Sequence, residues 1–250
     1  FGTTVTGALI YASTIEANSA DLGGGFYVSG GPVKARSSII RKNTADTQGG
    51  GVFAAKQLDM RNCRLLANSA EFGGGGIYVS HTGVSMENCT IAGNTNLNEF
   101  TPAGSGIYIS SGTTNHVITS SIVWDNTSTQ QVYAASGTPY VSYSCVEYGN
   151  TSNSNIISNP LLTRYTYWLC ASSPCINSGD PSSGILSDFS GESRPYPTNA
   201  PVDMGADEFV DTDSDSLADW WEQQYFPCLT NTVGTNDFDA DGLTNTYEYV

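Results

Sequence analysis

Apolar and polar positions recur along the first 150 residues with a period close to 25. In five successive copies an apolar residue is followed three places later by asparagine, and the asparagines are separated by 25, 25, 26 and 32 residues. A period of this length indicates one structural unit stacked several times. The apolar residues are Ile15, Ile40, Leu65, Ile91 and Val123, and the asparagines are Asn18, Asn43, Asn68, Asn94 and Asn126. Asn150, after Val146, is predicted to be a sixth member.

Glycine runs follow the first four asparagines, and a short alternating segment follows each run. Alternation with a period of two predicts a strand with one buried face and one exposed face. The aromatic members of these segments are Tyr27, Phe53, Tyr78 and Tyr108. A column of small residues lies five places before the asparagines: Ser13, Ser38, Cys63, Cys89, Ser121 and Cys145.

These repeats predict a solenoid of three strands and three turns per coil. The many glycines and β-branched residues disfavour a helical repeat. Equivalent strands of successive coils would pair in parallel, about 4.8 Å apart, and would bury the inward column as one core. Asparagine and glycine would supply left-handed conformations at the corners. The predicted fold is therefore all-β, a parallel β-helix over residues 1–150.

The repeat resembles the polymorphic outer membrane protein and autotransporter-passenger class of right-handed parallel β-helices. The segment from Arg61 to Ala70, with the glycines and Ile-Tyr that end at Tyr78, matches the pattern of that class closely, and Glu87 to Asn94 matches half of it. The resemblance covers about 150 residues. It implies a right-handed coil and a location outside the cell or on a bacterial surface.

The period ends after Asn150, and residues 151–209 have a different sequence pattern. This segment contains Ser173-Pro174-Cys175 and a run from Asp203 to Phe209. It resembles the closing region that follows β-helices in many bacterial surface proteins. Because the last coil of a solenoid exposes strand edges and open core, we expect this segment to be a C-terminal cap.

The cysteines do not have the spacing of a zinc site, since there is no CxxC pair and no nearby histidine. Cys170 and Cys175 are five residues apart, so they form either a small disulfide or two packed thiols. Cys63 and Cys89 are expected to be stacked thiols that point inward from adjacent coils.

Charge is concentrated at the C-terminal end. The chain carries a net charge of −15, and residues 211–250 hold seven Asp and two Glu with no Lys or Arg. Phosphates would be repelled by this segment, so nucleic acid is not an expected partner. No run of 18 apolar residues is present, so no membrane span is expected in this sequence.

The acidic segment, residues 210–250, contains two twelve-residue loops with the ligand spacing of an EF-hand. Oxygen ligands at positions 1, 3, 5, 7, 9 and 12 suit one Ca²⁺, position 7 acting through its carbonyl. The first set is Asp211, Asp213, Asp215, Leu217, Asp219 and Glu222. The second set, 26 residues later, is Asp237, Asp239, Asp241, Leu243, Asn245 and Glu248.

Two bound calcium ions are therefore predicted, with a solvated acidic linker as the alternative. Ser216 occupies the sixth position of the first loop, where glycine is expected, so that loop should be more strained and bind more weakly. The pair resembles dockerin loops and thrombospondin type 3-like repeats. Clustered carboxylates repel one another, so we expect the segment to become ordered when it binds the ions.

Two surface features are candidate ligand sites on the coils. Arg36 and Arg61 share one coil position within a basic strip that could bind an acidic glycan or acidic protein, or be solvated and salt-bridged. The column of Tyr27, Phe53, Tyr78 and Tyr108 could stack against sugars or be covered by loops.

Two functional hypotheses follow. The first is a noncatalytic structural or adhesive module, secreted or on a cell surface, that contacts surface glycans or other copies of itself and could form fibres. The second is a polysaccharide lyase or hydrolase acting on an acidic glycan, which needs converging carboxylates or Asp with calcium and a basic residue. Residues 1–150 contain few such groups, which favours the first. Phe1 begins in mid-repeat, so a larger parent protein is expected.

Overall fold

The chain forms a right-handed parallel β-helix of about five turns, followed by a long irregular segment and two short helices. The computed structural model describes residues 7–81, 83–98, 103–110, 115–164, 166–226 and 233–249. The described strands of the solenoid form four parallel sheets, two of six strands, one of five and one of four.

The sheets are named A to D in the order in which the first coil enters them. Sheet A contains Ala8–Tyr11, Val33–Arg36, Leu58–Arg61, Val84–Glu87, Val117–Thr119 and Tyr140–Ser142. Sheet B contains Thr14–Glu16, Ile39–Arg41, Arg64–Leu66, Thr90–Ala92, Ile122–Trp124 and Cys145–Val146. Sheet C contains Ser19–Leu22, Thr44–Gln48, Ser69–Ala70 and Thr95–Asn96. Sheet D contains Phe26–Val28, Val52–Ala54, Ile77–Val79, Ala103–Ile109 and Gln130–Ala134.

Each of the first four described coils supplies four strands, so the prediction of three strands per coil was wrong. The glycine run divides the third side of the coil into sheets C and D. At Gly50 an added Cβ would lie 2.2 Å from the carbonyl oxygen of Ser69 in the next coil. Only glycine permits this close approach between coils, so the run keeps the stack tight at this corner.

The predicted vertical column is confirmed by the register of sheet B. Ile15, Ile40, Leu65, Ile91, Val123 and Val146 are consecutive parallel partners. The side chains from Ile40 to Val123 are fully buried in the main hydrophobic core. Equivalent residues of successive coils therefore lie over one another, as the period predicted.

The asparagine ladder is also confirmed. The backbone N–H of Asn43 donates to Oδ1 of Asn68 at 3.0 Å, and Nδ2 of Asn68 donates to the carbonyl of Ile40 at 2.9 Å. The same bonds repeat from Asn18 to Asn126. Each buried amide thus satisfies the coil on either side of it, which a buried polar group requires.

Three details of the repeat differ from prediction. The left-handed residue at this corner is the one before each asparagine, as at Ala67 (φ 52°), because the asparagine side chain is directed along the ladder. Oε1 of Gln131 accepts from Asn126 and ends the ladder, so Asn150 is not its sixth member. Val146 pairs with Val123, which puts Ser144 rather than Cys145 in the column of small residues.

Residues 151–209 lie mainly along one side of the solenoid, which differs from the predicted cap. Only the first part closes the end, where Ile156 forms a bridge with Cys145. Farther on, Nδ2 of Asn88 donates to the carbonyl of Asp203 at 2.8 Å, and the Ala206 N–H donates to Thr90 Oγ1 at 3.0 Å. Side chains at the corner between sheets A and B form hydrogen bonds with this segment. Residues 151–209 are called the flank from here on.

Two helices follow the flank, α1 (Asp219–Tyr225) and α2 (Asn245–Tyr249). Leu217, Trp221 and Tyr249 join Leu169 of the flank and Ile122 of sheet B in a second hydrophobic cluster. Tyr249 Oη also donates to the carbonyl of Leu169 at 2.6 Å. The acidic segment is therefore packed against the flank.

Candidate functional site

The two acidic loops each bring three carboxylates together. One oxygen of Asp211, Asp213 and Asp215 lies within 4.8 Å of the others, and Asp237, Asp239 and Asp241 form an equivalent group. These are positions 1, 3 and 5 of the predicted loops. The spacing in sequence thus becomes a cluster in space at both sites.

The first aspartate of each loop organises the turn in the same way. Oδ2 of Asp211 accepts from the Ser216 N–H and Oδ2 of Asp237 accepts from the Gly242 N–H, both at 3.0 Å. The fifth-position aspartate then accepts from the N–H of Leu217 or Leu243 at 2.8 Å. The two loops therefore share one backbone course, although their sequences differ.

Left-handed residues occupy the fourth and sixth positions of both loops. Ser214 and Ser216 have φ of 64° and 79°, and Ala240 and Gly242 have φ of 62° and 99°. The left-handed region disfavours a residue with a Cβ. Ser216 thus adopts the conformation for which the motif uses glycine, which supports the expected strain in the first loop.

The ninth-position residues brace the loops. Asp219 accepts from the N–H and hydroxyl of Thr212, and Asn245 Oδ1 accepts from the N–H of Phe238 at 3.2 Å. Both residues begin a helix. Asp219 and Asn245 therefore hold the start of the loop to the start of the helix, so their contribution to an ion site would be positioning or water-mediated.

The glutamate at the twelfth position of each loop lies within the helix that begins in that loop. Glu222 is fully buried in α1, and Glu248 is exposed in α2. Burial, and then the charges of Asp239, Asp241 and Asp237, raise the pKa of Glu248. Glu248 therefore lies close enough to the aspartates of its own loop to be repelled by their charges.

The first loop fits a hard cation. Asp213 Oδ1 and Asp215 Oδ2 are buried oxygens without a hydrogen-bond partner in the described chain. Burial, together with the charges of Asp213 and Asp211, raises the pKa of Asp215. Oxygen atoms left in this state suit Ca²⁺, which takes six to eight hard oxygen ligands. The residues present therefore fit the predicted ion.

The basic strip is neutralised by acidic neighbours on the same sheet. Arg36 Nη2 lies 2.6 Å from Asp59 Oδ2, and Arg61 Nε lies 3.3 Å from Glu87 Oε2. Pairs of this kind leave little net charge for an acidic ligand. The salt-bridged alternative for Arg36 and Arg61 therefore fits the geometry better than a glycan site.

The aromatic side chains form one continuous column of ring contacts. The rings of Tyr27, Phe53, Tyr78, Tyr108 and Tyr133 follow one another with centroids 5.0, 5.1, 4.9 and 5.0 Å apart. Phe53 and Tyr78 are buried. Phe53, Tyr78 and Tyr108 cover one another's faces, with interplanar angles of 12° and 7°, whereas Tyr27 meets Phe53 edge-on at 87°. Since sugars stack on ring faces, the geometry does not favour a sugar platform on the three stacked rings.

Five cysteines are buried free thiols: Cys63, Cys89, Cys145, Cys170 and Cys175. Of the two alternatives for Cys170 and Cys175, the structure has packed thiols. Cys175 instead shares a hydrophobic cluster with Cys145, and its interaction with Cys145, together with burial, raises its pKa. Cys63 and Cys89 lie on adjacent coils, and their thiols donate to the backbone carbonyls of Arg61 and Glu87. Cys228 lies outside the described residues.

A buried charge network in the flank was missed at the sequence level. Arg194 Nε pairs with Glu208 Oε2 at 2.9 Å, and both side chains are fully buried. Asp203 Oδ1 accepts from the Asn177 N–H at 2.6 Å. The only signal was the presence of acidic residues within the otherwise apolar run from Asp203 to Phe209.

Comparison with protein families gives one match. The family model described as "Right handed beta helix region" matches residues 3–161, more than half of the chain. No curated protein and no solved structure matches. Within the described ranges, neither helix has the length or apolar character needed to traverse a bilayer. With the parallel register of four sheets, the match shows that the chain belongs to the right-handed β-helix family.

Proposed function

We propose that the chain is a noncatalytic structural or adhesive module of a larger bacterial protein, located outside the cell or on its surface and stabilised by two calcium ions. One observation carries the proposal: two loops with the same backbone course, each gathering three carboxylates, pack against the side of a regular coil stack. Extracellular fluid supplies Ca²⁺ at concentrations that such loops bind.

The calcium ions would be held by the aspartates of each loop. Asp211, Asp213 and Asp215 would bind the first ion together with the Leu217 carbonyl and Glu222. The second ion would be bound by Asp237, Asp239, Asp241, the Leu243 carbonyl and Glu248. Neutralising these groups removes the repulsion that opposes the folded loop, so binding and ordering are coupled.

The charges on the coils support a noncatalytic role. A glycoside hydrolase needs two carboxyl groups on either side of the scissile bond. On the described coils, Glu16, Asp59 and Glu87 are each engaged in an ion pair with an arginine rather than facing an open groove as a free pair. A cleft of about 420 Å³ at the end of the solenoid has Glu147 as the one carboxylate among its described lining residues.

Contact with other copies, or with surface glycans, is the proposed role of the outer surface. The first described coil exposes Leu9 (64%), Tyr11 (65%) and Tyr27 (49%). Exposed apolar side chains of this kind support contact with another copy or with a glycan. The resemblance to autotransporter passengers also supports a surface location.

Calcium binding is tested by equilibrium dialysis of the full chain against Ca²⁺, with Asp211→Asn and Asp237→Asn as variants. Each variant should lose one bound ion, because each removes the aspartate that organises one loop. Glu71→Gln, which removes one carboxylate from a coil, is the matched control and should lose none. An ion count unchanged by both loop variants would overturn the calcium part of the proposal.

Catalysis is tested separately by incubating the calcium-loaded chain with pectin, alginate and similar acidic polymers. The proposal predicts no rise in unsaturated products or reducing ends. Glycan arrays and sedimentation velocity on the same sample measure binding and self-association. Cleavage of any polymer that does not also occur in controls without protein would overturn the noncatalytic assignment.

A further inference from the structure

A third group of carboxylates lies in the flank, away from the two acidic loops. One oxygen each of Asp188, Glu192 and Asp207 lies within 4.8 Å of the others. Calcium–oxygen distances are about 2.3–2.6 Å, so two ligands on opposite sides of one ion are about 5 Å apart. A single Ca²⁺ could therefore contact all three side chains.

Asp207 supplies an oxygen that lacks a partner. The residue is 3% exposed, its Oδ2 accepts from the Leu169 N–H at 2.9 Å, and its Oδ1 has no hydrogen-bond partner in the described chain. A buried carboxylate oxygen left in this state is costly unless something binds it. Asp207 Oδ1 is therefore a buried oxygen available to bind a ligand.

Asp188 and Glu192 are held in place by a tight turn. Asp188 Oδ1 accepts from the N–H groups of Gly191 and Glu192 at 2.7 and 2.8 Å. Ser190 Oγ lies 3.0 Å from both Asp188 Oδ2 and Glu192 Oε2, so its one proton is available to either carboxylate. The turn therefore directs two carboxylates to one side before any ligand arrives. Glu192 is only partly buried, which leaves access for water as a further ligand.

Nearby cations do not balance this charge. Arg194 is paired with Glu208. Arg64 lies over the Trp168 ring at 4.1 Å, and its Nη2 has no hydrogen-bond partner among the described residues. When all three carboxyl groups are ionised, they and the Arg64 guanidinium together carry a formal charge of about −2. Burial and the neighbouring acids raise the pKa of Asp207 to about 7 and that of Glu192 to about 8.

We propose that Asp188, Glu192 and Asp207 bind one calcium ion that joins two parts of the flank beside its contact with the coils. The ligands are hard oxygens and the uncompensated charge matches a divalent cation. Asp188 and Glu192 come from one turn, and Asp207 follows Ala206, whose N–H donates to Thr90 of sheet B. The ion thus joins two parts of the flank at the place where the flank contacts the solenoid.

The test is the number of Ca²⁺ ions bound per chain at saturation, measured by equilibrium dialysis on the full chain. The wild type should bind one ion more than the two loops account for. Glu192→Gln and Asp207→Asn should each lower the count by one and leave the loop ions in place. Glu71→Gln, with the same loss of charge on a coil, should not lower it.

The outcome separates this site from the loops. If the loops bind no calcium but the flank does, the wild type binds one ion and Glu192→Gln binds none. If the carboxylates share protons instead of a cation, the count is unchanged in Glu192→Gln or Asp207→Asn, and the proposal is overturned. Retained loop ions, and an unchanged circular dichroism spectrum, establish that a variant is folded.

Discussion

The coils and the acidic loops are stabilised by opposite kinds of interaction. In the coils, buried polar groups are neutral amides that satisfy one another, as Asn43 and Asn68 do, around a continuous aliphatic core. In the loops, charged oxygens such as those of Asp211 organise the backbone, and few apolar side chains lie within the turn. The described part of the coils holds no cluster of three carboxylates, whereas the loops gather charge that only a cation or protons can neutralise.

The flank combines both kinds of interaction. Its apolar side chains share a cluster with Ile122 and Tyr249, yet it also buries the ion pair of Arg194 and Glu208. A buried pair is costly to break because one charge is then left uncompensated. The comparison indicates that repetition stabilises the coils, and that charge compensation adds to apolar packing in the segments joined to their side.

The largest effect is expected from Leu65→Ala. Leu65 is fully buried at the centre of the aliphatic column, so its truncation should lower the free energy of unfolding by about 3–5 kcal/mol. Ile15→Ala, at a partly buried position of the first described coil, should cost less than half as much. Urea denaturation with calcium present measures both. Equal losses would contradict a core that deepens toward the middle coils.

Asn68→Ala should have the next largest effect. It leaves the Ile40 carbonyl and the Asn43 N–H without buried partners, at a cost of about 2–3 kcal/mol in the free energy of unfolding. Asn18→Ala, on the exposed first described coil, is the matched control and should cost about 1 kcal/mol or less. A loss in Asn68→Ala no greater than that of the control would show that the ladder does not act as a unit.

A smaller effect is expected from Ser216→Gly. The left-handed conformation at this position (φ 79°) disfavours a residue with a Cβ, so glycine should tighten calcium binding by the first loop about threefold to tenfold. Calorimetry in a background that carries both Asp237→Asn and Glu192→Gln, which removes the second loop ion and the proposed flank ion, isolates that loop. Gly242→Ser, tested in an Asp211→Asn background, should weaken the second loop. No change in either variant would remove backbone strain as the cause of a difference between the loops.

The fold was largely predictable because its information is periodic. Ile40, Leu65 and Ile91 are 25 and 26 residues apart, and a parallel stack converts such near-equal intervals into vertical neighbours. The fourth strand was not predicted because glycine has no side chain with which to show alternation. The course of the flank was not predicted either, because its partners, such as Asn88 and Thr90, lie more than 100 residues away in sequence.

The candidate sites also differ in how far the sequence alone predicts them. The acidic loops were recognised from sequence because all their ligands lie within twelve residues. The flank cluster was not, since Asp188 and Asp207 are distant in sequence and Arg64 comes from a coil. Burial gives these charges their importance, and burial of an irregular segment is not encoded in a local pattern.

Hydrogen exchange in calcium and in a chelator tests most directly the claim that coils and loops are stabilised differently. We predict that removal of calcium strongly reduces protection of the backbone amides within residues 211–249, while amides in the central coils, such as those of Asn43 and Asn68, keep their protection. Equal loss of protection in the coils, or unchanged protection in the loops, would contradict this account.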